Sequence, residues 1–538
     1  MADILDIETD VVVIGGGMAA LWAAVASARS GAATVLVDKG FAGTSGVTAA
    51  GGPGHWWVPP DPAAREEAVE RRHARSFGLA DRGWMAASID TTWRALPELV
   101  GFYPFGDEQP GRAALRSLRG PEYIRALRRM AEGLGVRILD HSPALGLLLH
   151  RDGSVAGVQG VQRISRPGRV SGRDWRARSG AVVLATGGCA WLSGLIGSAT
   201  NTGDGYLMAA EAGARLSGME FSVSYSVSPA WHSTRVLLFA FARYFDAHGR
   251  ELNLPPMLSG GDFIGALAAE LARGPVLAQL DRMPPEVRAA VPQVQPASLL
   301  PFRRRGIDPF NDRFEVALFG EGTIRGTGGL RIADAACRTD VAGLYAAGDA
   351  ATRELIAGAT SGGGAQNSAW AVTSGLRAGA GAADRARRTG RRTRDPVRPA
   401  ACETTPVRDG ASAAEVVRLV QHHMLPTGLN LIRSPASLRA ARDGFDSAQE
   451  GLAAPSGPDP HARIAAREAR SLLATARWAT HAALARTETR GMHRRADAPA
   501  TDPAQARRLL VWGTRSIGSA FDGSTPDAGR ARDLEAVA

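Results

Sequence analysis

The fold of this chain is decided by one stretch, Asp10-Val-Val-Val-Ile-Gly-Gly-Gly-Met-Ala-Ala20, in which an apolar run of strand type leads into a glycine turn. Helical character follows over Leu21–Arg29. This is the GxGxxG/A pattern in the context that it requires, after a strand and at the start of a helix. Gly15 makes the tight turn, Gly17 lets the backbone approach a pyrophosphate, and Ala20 allows close helix–strand packing. Free amides and the positive end of the helix dipole would hold the phosphates.

A second strand supports this interpretation. Ala33-Thr-Val-Leu-Val37 ends in Asp38, at the distance expected for a carboxylate that accepts a ribose hydroxyl. A glycine turn alone occurs in many α/β proteins, but here strand, helix, second strand and acid are in register. The sequence therefore predicts a Rossmann-like α/β domain that binds a dinucleotide.

The loop after the acid favours FAD over NAD. Gly43–Gly52 is small, polar and rich in glycine, so it can run beside a flavin without steric conflict.

Four further segments resemble the flavoprotein-subunit family of succinate dehydrogenase and fumarate reductase, whose relatives include L-aspartate oxidase and adenylylsulfate reductase. In chain order they are the strand and turn Ala181-Val-Val-Leu-Ala-Thr-Gly-Gly188, the helix motif Thr200-Asn-Thr-Gly-Asp-Gly205 continued by Met219-Glu220, the closing strand Val341–Asp349, and Ala485–His493, similar to the family's C-terminal ESRGAH signature. The resemblance spans nearly the whole chain in the right order. It implies an FAD domain with an inserted α+β capping domain and a C-terminal helical domain.

A second glycine-rich turn fits the same family. Ser361–Ser368 precedes the apolar helical stretch Ala369–Gly375 and again offers free amides at a positive helix end. In the family this end faces the part of the flavin where reduction builds negative charge, which it stabilises.

The motifs and the resemblance together imply a set of FAD-binding residues. They are Gly15, Gly17, Met18, Ala19, Asp38, Lys39, Thr44, Ser45, Gly51, Gly52, Ala185, Thr186, Gly187, Asn201, Asp204, Gly348, Asp349, Asn367 and Ser368. Asp349 matches the acid that contacts the ribityl chain in the family. Ser45 aligns with the histidine that bonds FAD covalently in succinate dehydrogenase, and a serine cannot do so. Non-covalent FAD is therefore expected.

The substrate ligands of the family are missing. The positions aligned with its two substrate histidines, its second arginine and its proton-donating arginine hold Ser224, Ile324, Ser361 and Leu238. Arg235 and Arg243 are the nearest basic residues to the last position. A C4 dicarboxylate needs bidentate cationic partners at both ends, so succinate and fumarate are not the expected substrates.

Other residues are candidates for acid–base chemistry or substrate orientation. Arg325 lies where the chain returns to the FAD domain, next to the position of a family histidine. His55, in Gly54-His-Trp-Trp-Val58, would lie beside the flavin, whereas the tryptophans could equally be plain packing. Arg243 and Tyr225 complete the predicted catalytic set. His232 and Tyr244 are further mixed candidates in the cap, and Arg490 and His493 of the C-terminal signature could instead pack the helical domain.

Composition sets the class of protein. The chain has 538 residues, of which 45% are hydrophobic and 22% charged, so two to four globular domains are expected. No apolar run approaches the roughly 18 residues of a membrane span. The acidic N-terminus leads straight into a strand, unlike a signal peptide, so a cytoplasmic location is expected. The net charge of +10 comes from dispersed arginines without interleaved aromatics, so nucleic acid is not an expected partner.

The three cysteines are Cys189, Cys337 and Cys402, which are far apart and form no CxxC pair. The chain cannot ligate a four-cysteine iron–sulfur cluster by itself, so any such cluster would belong to a partner, and no metal site is expected. Buried or inert thiols are the expected role.

The predicted organisation has five parts. They are FAD-binding residues 1–215, capping residues 216–324, FAD-binding residues 325–390, a linker at 391–410, and a helical domain at 411–538 with helices near 413–423, 438–451 and 461–487.

The leading hypothesis for function is an FAD-dependent enzyme that transfers a hydride between a small organic substrate and flavin N5. One alternative is an electron-transfer subunit docked on an iron–sulfur partner protein, for which a basic surface would suit an acidic partner. Another is a protein whose flavin is purely structural. The electron acceptor, the direction of reaction and the oligomeric state stay open at this point.

Overall fold

The computed structural model describes residues 4–105, 115–116, 118–166, 169–234, 239–257, 261–294, 296–391, 395–400, 411–451 and 459–523. Its strands are β1 (Leu5–Glu8), β2 (Val11–Ile14), β3 (Thr34–Val37), β4 (Arg137–Leu139), β5 (Ala144–Leu149), β6 (Val155–Arg166), β7 (Arg169–Arg178), β8 (Ala181–Leu184), β9 (Leu216–Ser217), β10 (Tyr225–Pro229), β11 (Arg243–Phe245), β12 (Val276–Gln279), β13 (Phe314–Gly320), β14 (Gly329–Leu330), β15 (Leu344–Ala346), β16 (Arg398–Pro399), β17 (Leu509–Trp512) and β18 (Gly518–Phe521). Its helices are α1 (Met18–Arg29), α2 (Gly46–Ala49), α3 (Pro62–His73), α4 (Arg82–Ala95), α5 (Gly120–Gly133), α6 (Asp204–Glu211), α7 (Gly261–Leu271), α8 (Pro285–Val294), α9 (Pro296–Arg303), α10 (Glu354–Ala357), α11 (Gly363–Thr389), α12 (Ala413–Met424), α13 (Thr427–Asn430), α14 (Pro435–Glu450) and α15 (Pro460–Ala485).

A five-stranded parallel sheet carries the dinucleotide motif. Its order is β15-β8-β2-β3-β4, and β2, β3 and β8 are apolar and buried along their whole length. Strands of this kind are covered by helices on both faces. Because β15 comes from a segment far along the chain, two separated parts of the chain build the sheet. The predicted Rossmann-like α/β fold is confirmed.

Helices α1 and α11 pack closely over this sheet. A Cβ atom at Gly375 would lie 2.6 Å from Ala19 O, and one at Gly379 would lie 2.1 Å from Ala23 O. Both distances are shorter than any van der Waals contact, so the two glycines let the helix backbones approach each other. This packing fixes the position of the N-terminus of α11.

A second sheet has the order β1-β7-β6-β5-β16 and is mostly antiparallel. Its last strand, Arg398–Pro399, pairs with Leu148 and Leu149. This strand falls inside the segment predicted as a linker at 391–410, so the described part of that segment is attached to the sheet. Proline lacks the backbone N–H, which is tolerated at a sheet edge.

A four-stranded antiparallel sheet, β10-β13-β12-β11, lies within the predicted capping segment. It has a hydrophobic core of its own, in which the rings of Phe302 and Phe314 lie 4.9 Å apart and Trp231 packs edge-on against both. A separate core allows this part of the chain to form an independent layer.

The C-terminal part is helical, as predicted, with one addition. Helices α12, α14 and α15 begin and end within three residues of the predicted segments. The chain then forms the hairpin β17–β18, which joins β9 and β14 in a four-stranded sheet. None of the helices in the described parts of the chain has both the length and the apolar character of a membrane span.

Candidate active site

A cleft of about 1540 Å³, counted out to its open mouth, lies at the carboxyl ends of β2, β3 and β8. This is the edge at which open parallel sheets bind ligands. Every residue predicted to bind FAD lines the cleft except Thr44, which is exposed. That part of the prediction is wrong for Thr44, because its hydroxyl points away and donates to Phe41 O at 3.3 Å.

The glycine turn forms one wall of the cleft. Gly15 has a φ of +125°, and a Cβ there would lie 2.3 Å from Ala185 O, so both conformation and space require glycine. Gly17 has an ordinary φ of −84°, and a Cβ there would meet nothing within 4 Å. The Gly17 backbone therefore borders open space in front of the N-terminus of α1, which is where a pyrophosphate would bind.

Asp38 and Ser45 are hydrogen-bonded inside the cleft. The Ser45 hydroxyl donates to Asp38 Oδ2, and Asp38 is 6% exposed. Burial raises the pKa of the Asp38 carboxyl, while the hydrogen bond from Ser45 opposes the rise. Ser45 thus contacts the predicted ribose acid from the position where the resemblance implies a covalent histidine in relatives.

Lys39 is held by three groups rather than left free for a phosphate. Its Nζ lies 2.8 Å from Thr202 Oγ1, 2.8 Å from Asp204 Oδ2 and 3.0 Å from Glu468 Oε1. Burial alone would lower the pKa of Lys39, but the two carboxylates raise it. Lys39 therefore connects β3 to α6 and to α15 at the border of the cleft.

Asp349 is held from behind by a buried arginine. Arg353 is 1% exposed; its Nη1 donates to Asp349 Oδ1, and its Nη2 donates to three carbonyls, those of Thr323, Ile324 and Gly326. Arg353 thereby fixes Asp349 relative to the loop that carries Arg325. Sequence reasoning missed this residue because no motif marks it.

Three side-chain atoms in the cleft have no partner. Asn201 Oδ1 and both polar atoms of the Asn367 amide are buried and make no hydrogen bond to a described residue. Buried amides without partners are costly, so atoms of this kind point to a polar ligand. Asn367 and Ser368 lie one turn inside α11, which begins at Gly363, several residues earlier than the sequence indicated.

Among the four predicted catalytic residues, Arg325 is the one that the structure places in the cleft. Its Nε lies 3.3 Å from Glu321 Oε2, and its side chain is 28% exposed. Ile324 lines the cleft beside it, as do Val47 and Thr48, which sequence reasoning had not singled out.

His55 is not in the cleft, and its predicted place beside the flavin is wrong. It is 2% exposed, packs edge-on against Tyr123 at 5.5 Å, and both ring nitrogens lack a hydrogen-bond partner among the described residues. Burial lowers the pKa of His55 to about 4. The neighbouring Trp57 stacks on Trp93 at 4.3 Å, in agreement with the packing interpretation.

Tyr225 and Arg243 are also outside the cleft. The Tyr225 hydroxyl donates to Leu425 O at 3.1 Å, and burial raises the pKa of Tyr225. Arg243 lies on β11, where it pairs with Asp281 and with Glu251. Both residues hold parts of the fold together, so their predicted catalytic roles are wrong.

The positions of the missing family ligands can be located in part. Ser224 O accepts a hydrogen bond from Glu321 N at 2.8 Å, so its segment lies beside the loop of Ile324. Ser361 Oγ accepts from Gly363 N at 3.2 Å at the start of α11. Arg235 and Leu238 lie outside the described residues.

The C-terminal signature residues pack the structure. His493 is fully buried, with its Nδ1 2.7 Å from Arg433 Nη1 and its Nε2 3.0 Å from Arg486 O. Burial and then Arg433 lower the pKa of His493. Arg490 pairs with Glu488 in the same buried network. This agrees with the packing alternative for the motif.

The cysteines fit the expectation of buried thiols. Burial raises the pKa of both Cys189 and Cys337 to about 12. Cys402 lies outside the described residues. Within the described part of the chain, no group of three histidine, cysteine or acidic residues could hold a metal ion.

Comparisons with known proteins agree with this geometry. The FAD binding domain model matches residues 10–238, and the fumarate reductase flavoprotein C-terminal model matches residues 433–520. L-aspartate oxidase of Mycobacterium tuberculosis is 30% identical over 540 residues, which cover 94% of this chain and 95% of that protein. One subunit of the fumarate reductase (CoM/CoB) of Methanothermobacter marburgensis is 26% identical over 553 residues, which cover 94% and 97%.

Two solved structures share the fold. A variant of E. coli quinol fumarate reductase FrdA superimposes with a TM-score of 0.78 at 19% identity, over 97% of each chain. Adenylylsulfate reductase of Archaeoglobus fulgidus gives a TM-score of 0.74 at 17% identity, over 98% of each chain.

The fold and the cleft define the class of protein as an FAD-dependent oxidoreductase. The chain belongs to the flavoprotein family of succinate dehydrogenase, fumarate reductase and L-aspartate oxidase. The cleft fits the cofactor of that family, because it offers open space at Gly17, a buried carboxylate at Asp38 and unpartnered amides at Asn201 and Asn367.

Proposed function

We propose that this protein transfers a hydride between a small organic substrate and flavin N5 in the described cleft. The observation that supports this most directly is that one cleft is lined by the dinucleotide turn, by the N-terminus of α11 and by Arg325 together. The first two features suit FAD, and the third suits an anionic substrate beside it.

Each part of the cleft has a role in this proposal. FAD, when bound, supplies a two-electron acceptor or donor. The N-terminus of α11 presents free amides and a positive dipole end, which stabilise negative charge that develops beside it. Arg325 binds and orients the substrate, and Arg353 holds the loop of Arg325 in place through three carbonyls.

A C4 dicarboxylate is not the proposed substrate. The names of the relatives refer to L-aspartate and to fumarate, which are both C4 dicarboxylates. In this chain, however, Ser224, Ile324 and Ser361 stand where the resemblance implies cationic or imidazole ligands. Two carboxylates need two cationic partners, and the described residues that line the cleft offer Arg325 at this end.

The experiment is anaerobic mixing of the FAD-loaded protein with a panel of organic acids, alcohols and amines, with flavin absorbance as the readout. Bleaching that follows substrate concentration is expected for at least one member, or reoxidation of the reduced protein for the reverse direction. Arg325→Met should slow the reaction at least about tenfold, whereas Arg250→Met, at a side chain that is 82% exposed on the cap, should not. A flavin that no member of a broad panel reduces or reoxidises would refute hydride transfer.

A second candidate function is that of a flavoprotein subunit that passes electrons to an iron–sulfur partner. It is favoured by the methanogen relative, which is named as one subunit of its enzyme. The test is purification at native expression levels, followed by assay with a dye as the acceptor. A chain that elutes alone and turns over at full rate with a dye would contradict this candidate, while co-elution with an iron–sulfur protein would support it.

A further inference from the structure

The end of the cleft around Arg325 combines one cation with an apolar wall. Arg325 and Ile324 are neighbours in the chain, and both line the cleft together with Val47. Ile324 is 2% exposed and packs in an apolar cluster with Leu195 and Phe319 on the side away from the cleft. A substrate beside Arg325 therefore also contacts hydrophobic side chains.

The other charged residues that line the cleft are already engaged. They are Asp38 with Ser45, Lys39 with Asp204, and Asp349 with Arg353. Arg325 pairs with Glu321 through Nε at 3.3 Å. Among the described residues, no acceptor is hydrogen-bonded to its two Nη atoms, which leaves them for a ligand.

These observations limit the charge of the ligand. A planar guanidinium binds one carboxylate through two parallel hydrogen bonds. A second carboxylate on the same small molecule would lie against Val47 and Ile324, where it would lose its hydration without gaining a cation. An apolar group in that place gains from the removal of its surface from water.

We infer that the substrate is a monocarboxylic acid with an apolar body, of the class of aryl- or branched-chain-substituted propanoates. Its carboxylate binds Arg325, and its apolar part packs against Val47 and Ile324. This inference rests on the proposed function for its premise that the substrate lies beside FAD at this end of the cleft, and it adds the substrate class.

The test is a binding titration of the FAD-loaded protein, followed by the change in the flavin absorbance spectrum and by calorimetry. The probes are 3-phenylpropanoate, its neutral amide 3-phenylpropanamide, and succinate. We expect 3-phenylpropanoate to bind at least about tenfold more tightly than either of the others. Succinate binding as tightly as 3-phenylpropanoate would overturn the single-carboxylate inference, and equal binding of the amide would overturn the role of Arg325.

Variants separate the two contacts. Arg325→Met should weaken 3-phenylpropanoate at least about tenfold and leave the amide unchanged, because it removes a charge and retains an apolar chain of similar length. Ile324→Asn should weaken both the acid and the amide, and Arg250→Met should weaken neither. Loss of binding of the amide in Arg325→Met would overturn the inference, because it would show a general disruption of the site.

Binding and turnover fail separately. If 3-phenylpropanoate binds as described and no panel member exchanges electrons with the flavin, the inference about the pocket is supported and hydride transfer fails. If a dicarboxylate reduces the flavin while 3-phenylpropanoate does not bind, the inference is overturned and hydride transfer is supported.

Discussion

Lys39 Nζ lies 2.8 Å from Asp204 Oδ2 and 3.0 Å from Glu468 Oε1, so the single lysine of the chain joins the nucleotide-binding strand β3 to α6 and to the C-terminal helix α15. The three residues are far apart in sequence and meet at the border of the cleft. The ion pairs therefore couple the C-terminal helical domain to the predicted FAD site.

Lys39→Met should destabilise the protein, because it leaves the carboxylates of Asp204 and Glu468 largely buried without a cation. The expected loss in the free energy of unfolding near neutral pH is about 3 kcal/mol. The exposed ion pair Arg71–Glu67 carries no such burial cost, so Arg71→Met is the matched control and should change nothing measurable. Thermal melting of the FAD-free proteins is the measurement.

The sign of the pH dependence follows from the same pair. Lys39 lowers the pKa of Asp204 against the effect of burial, so the stabilisation is present above the ordinary pKa of an aspartate and is lost as the pH falls through the folded-state value. The raised pKa of Lys39 makes the stabilisation disappear again as the pH rises through that higher value. A Lys39→Met variant that melts like the parent at neutral pH would contradict this account.

Two glycines of the dinucleotide turn should behave differently. Gly17→Val places a side chain in open space that a pyrophosphate would use, so the protein should fold and lose FAD occupancy. Gly15→Ala should destabilise the fold itself, because φ is +125° and the new Cβ would lie 2.3 Å from Ala185 O.

Flavin content and thermal melting of the two purified variants distinguish the effects. The valine sits at an ordinary φ of −84°, so strain is not expected at Gly17. A fully yellow Gly17→Val protein would show that Gly15–Ala20 is not the pyrophosphate loop.

His55 should make the protein less stable in mild acid. Burial holds the pKa of His55 at about 4, compared with 6.5 in an unfolded chain, so its contribution is complete above pH 6.5 and is lost as the pH falls towards 4. At ~1.4 kcal/mol per pKa unit, this amounts to about 3 kcal/mol.

His55→Leu removes the titrating group and retains an apolar side chain, so stability should fall less between pH 6.5 and 4. His493 also has a lowered pKa, and part of the dependence should therefore remain. His248→Leu, at an exposed residue, is the control. A His55→Leu protein with the full pH dependence of the parent would contradict the account.

FAD should be bound without a covalent bond. The described residues that line the cleft include no histidine, cysteine or tyrosine, and Ser45 is hydrogen-bonded to Asp38. Acid precipitation should leave the yellow colour in the supernatant, with free FAD added to apoprotein as the control. Flavin that stays in the pellet after denaturation would disprove this.

The sequence by itself determined the class of fold and most of the cofactor cleft. The GxGxxG/A turn, Asp38 and the segment ending at Asp349 are local patterns whose backbone chemistry requires particular residues at particular spacings. Such requirements can be read without knowing what packs nearby. The same holds for the C-terminal helices, whose apolar periodicity is local.

Only the tertiary structure decided which polar side chains face the cleft. Arg325 faces it, whereas His55 and Tyr225 turn into the core and Arg243 turns to surface carboxylates. That choice depends on partners far away in sequence, such as Leu425 for Tyr225, which no local pattern reveals. Arg353 is the clearest case, because its partners at Asp349 and at the 323–326 carbonyls exist only once the chain has folded. Side-chain direction is fixed by long-range packing, and packing is a property of the whole fold.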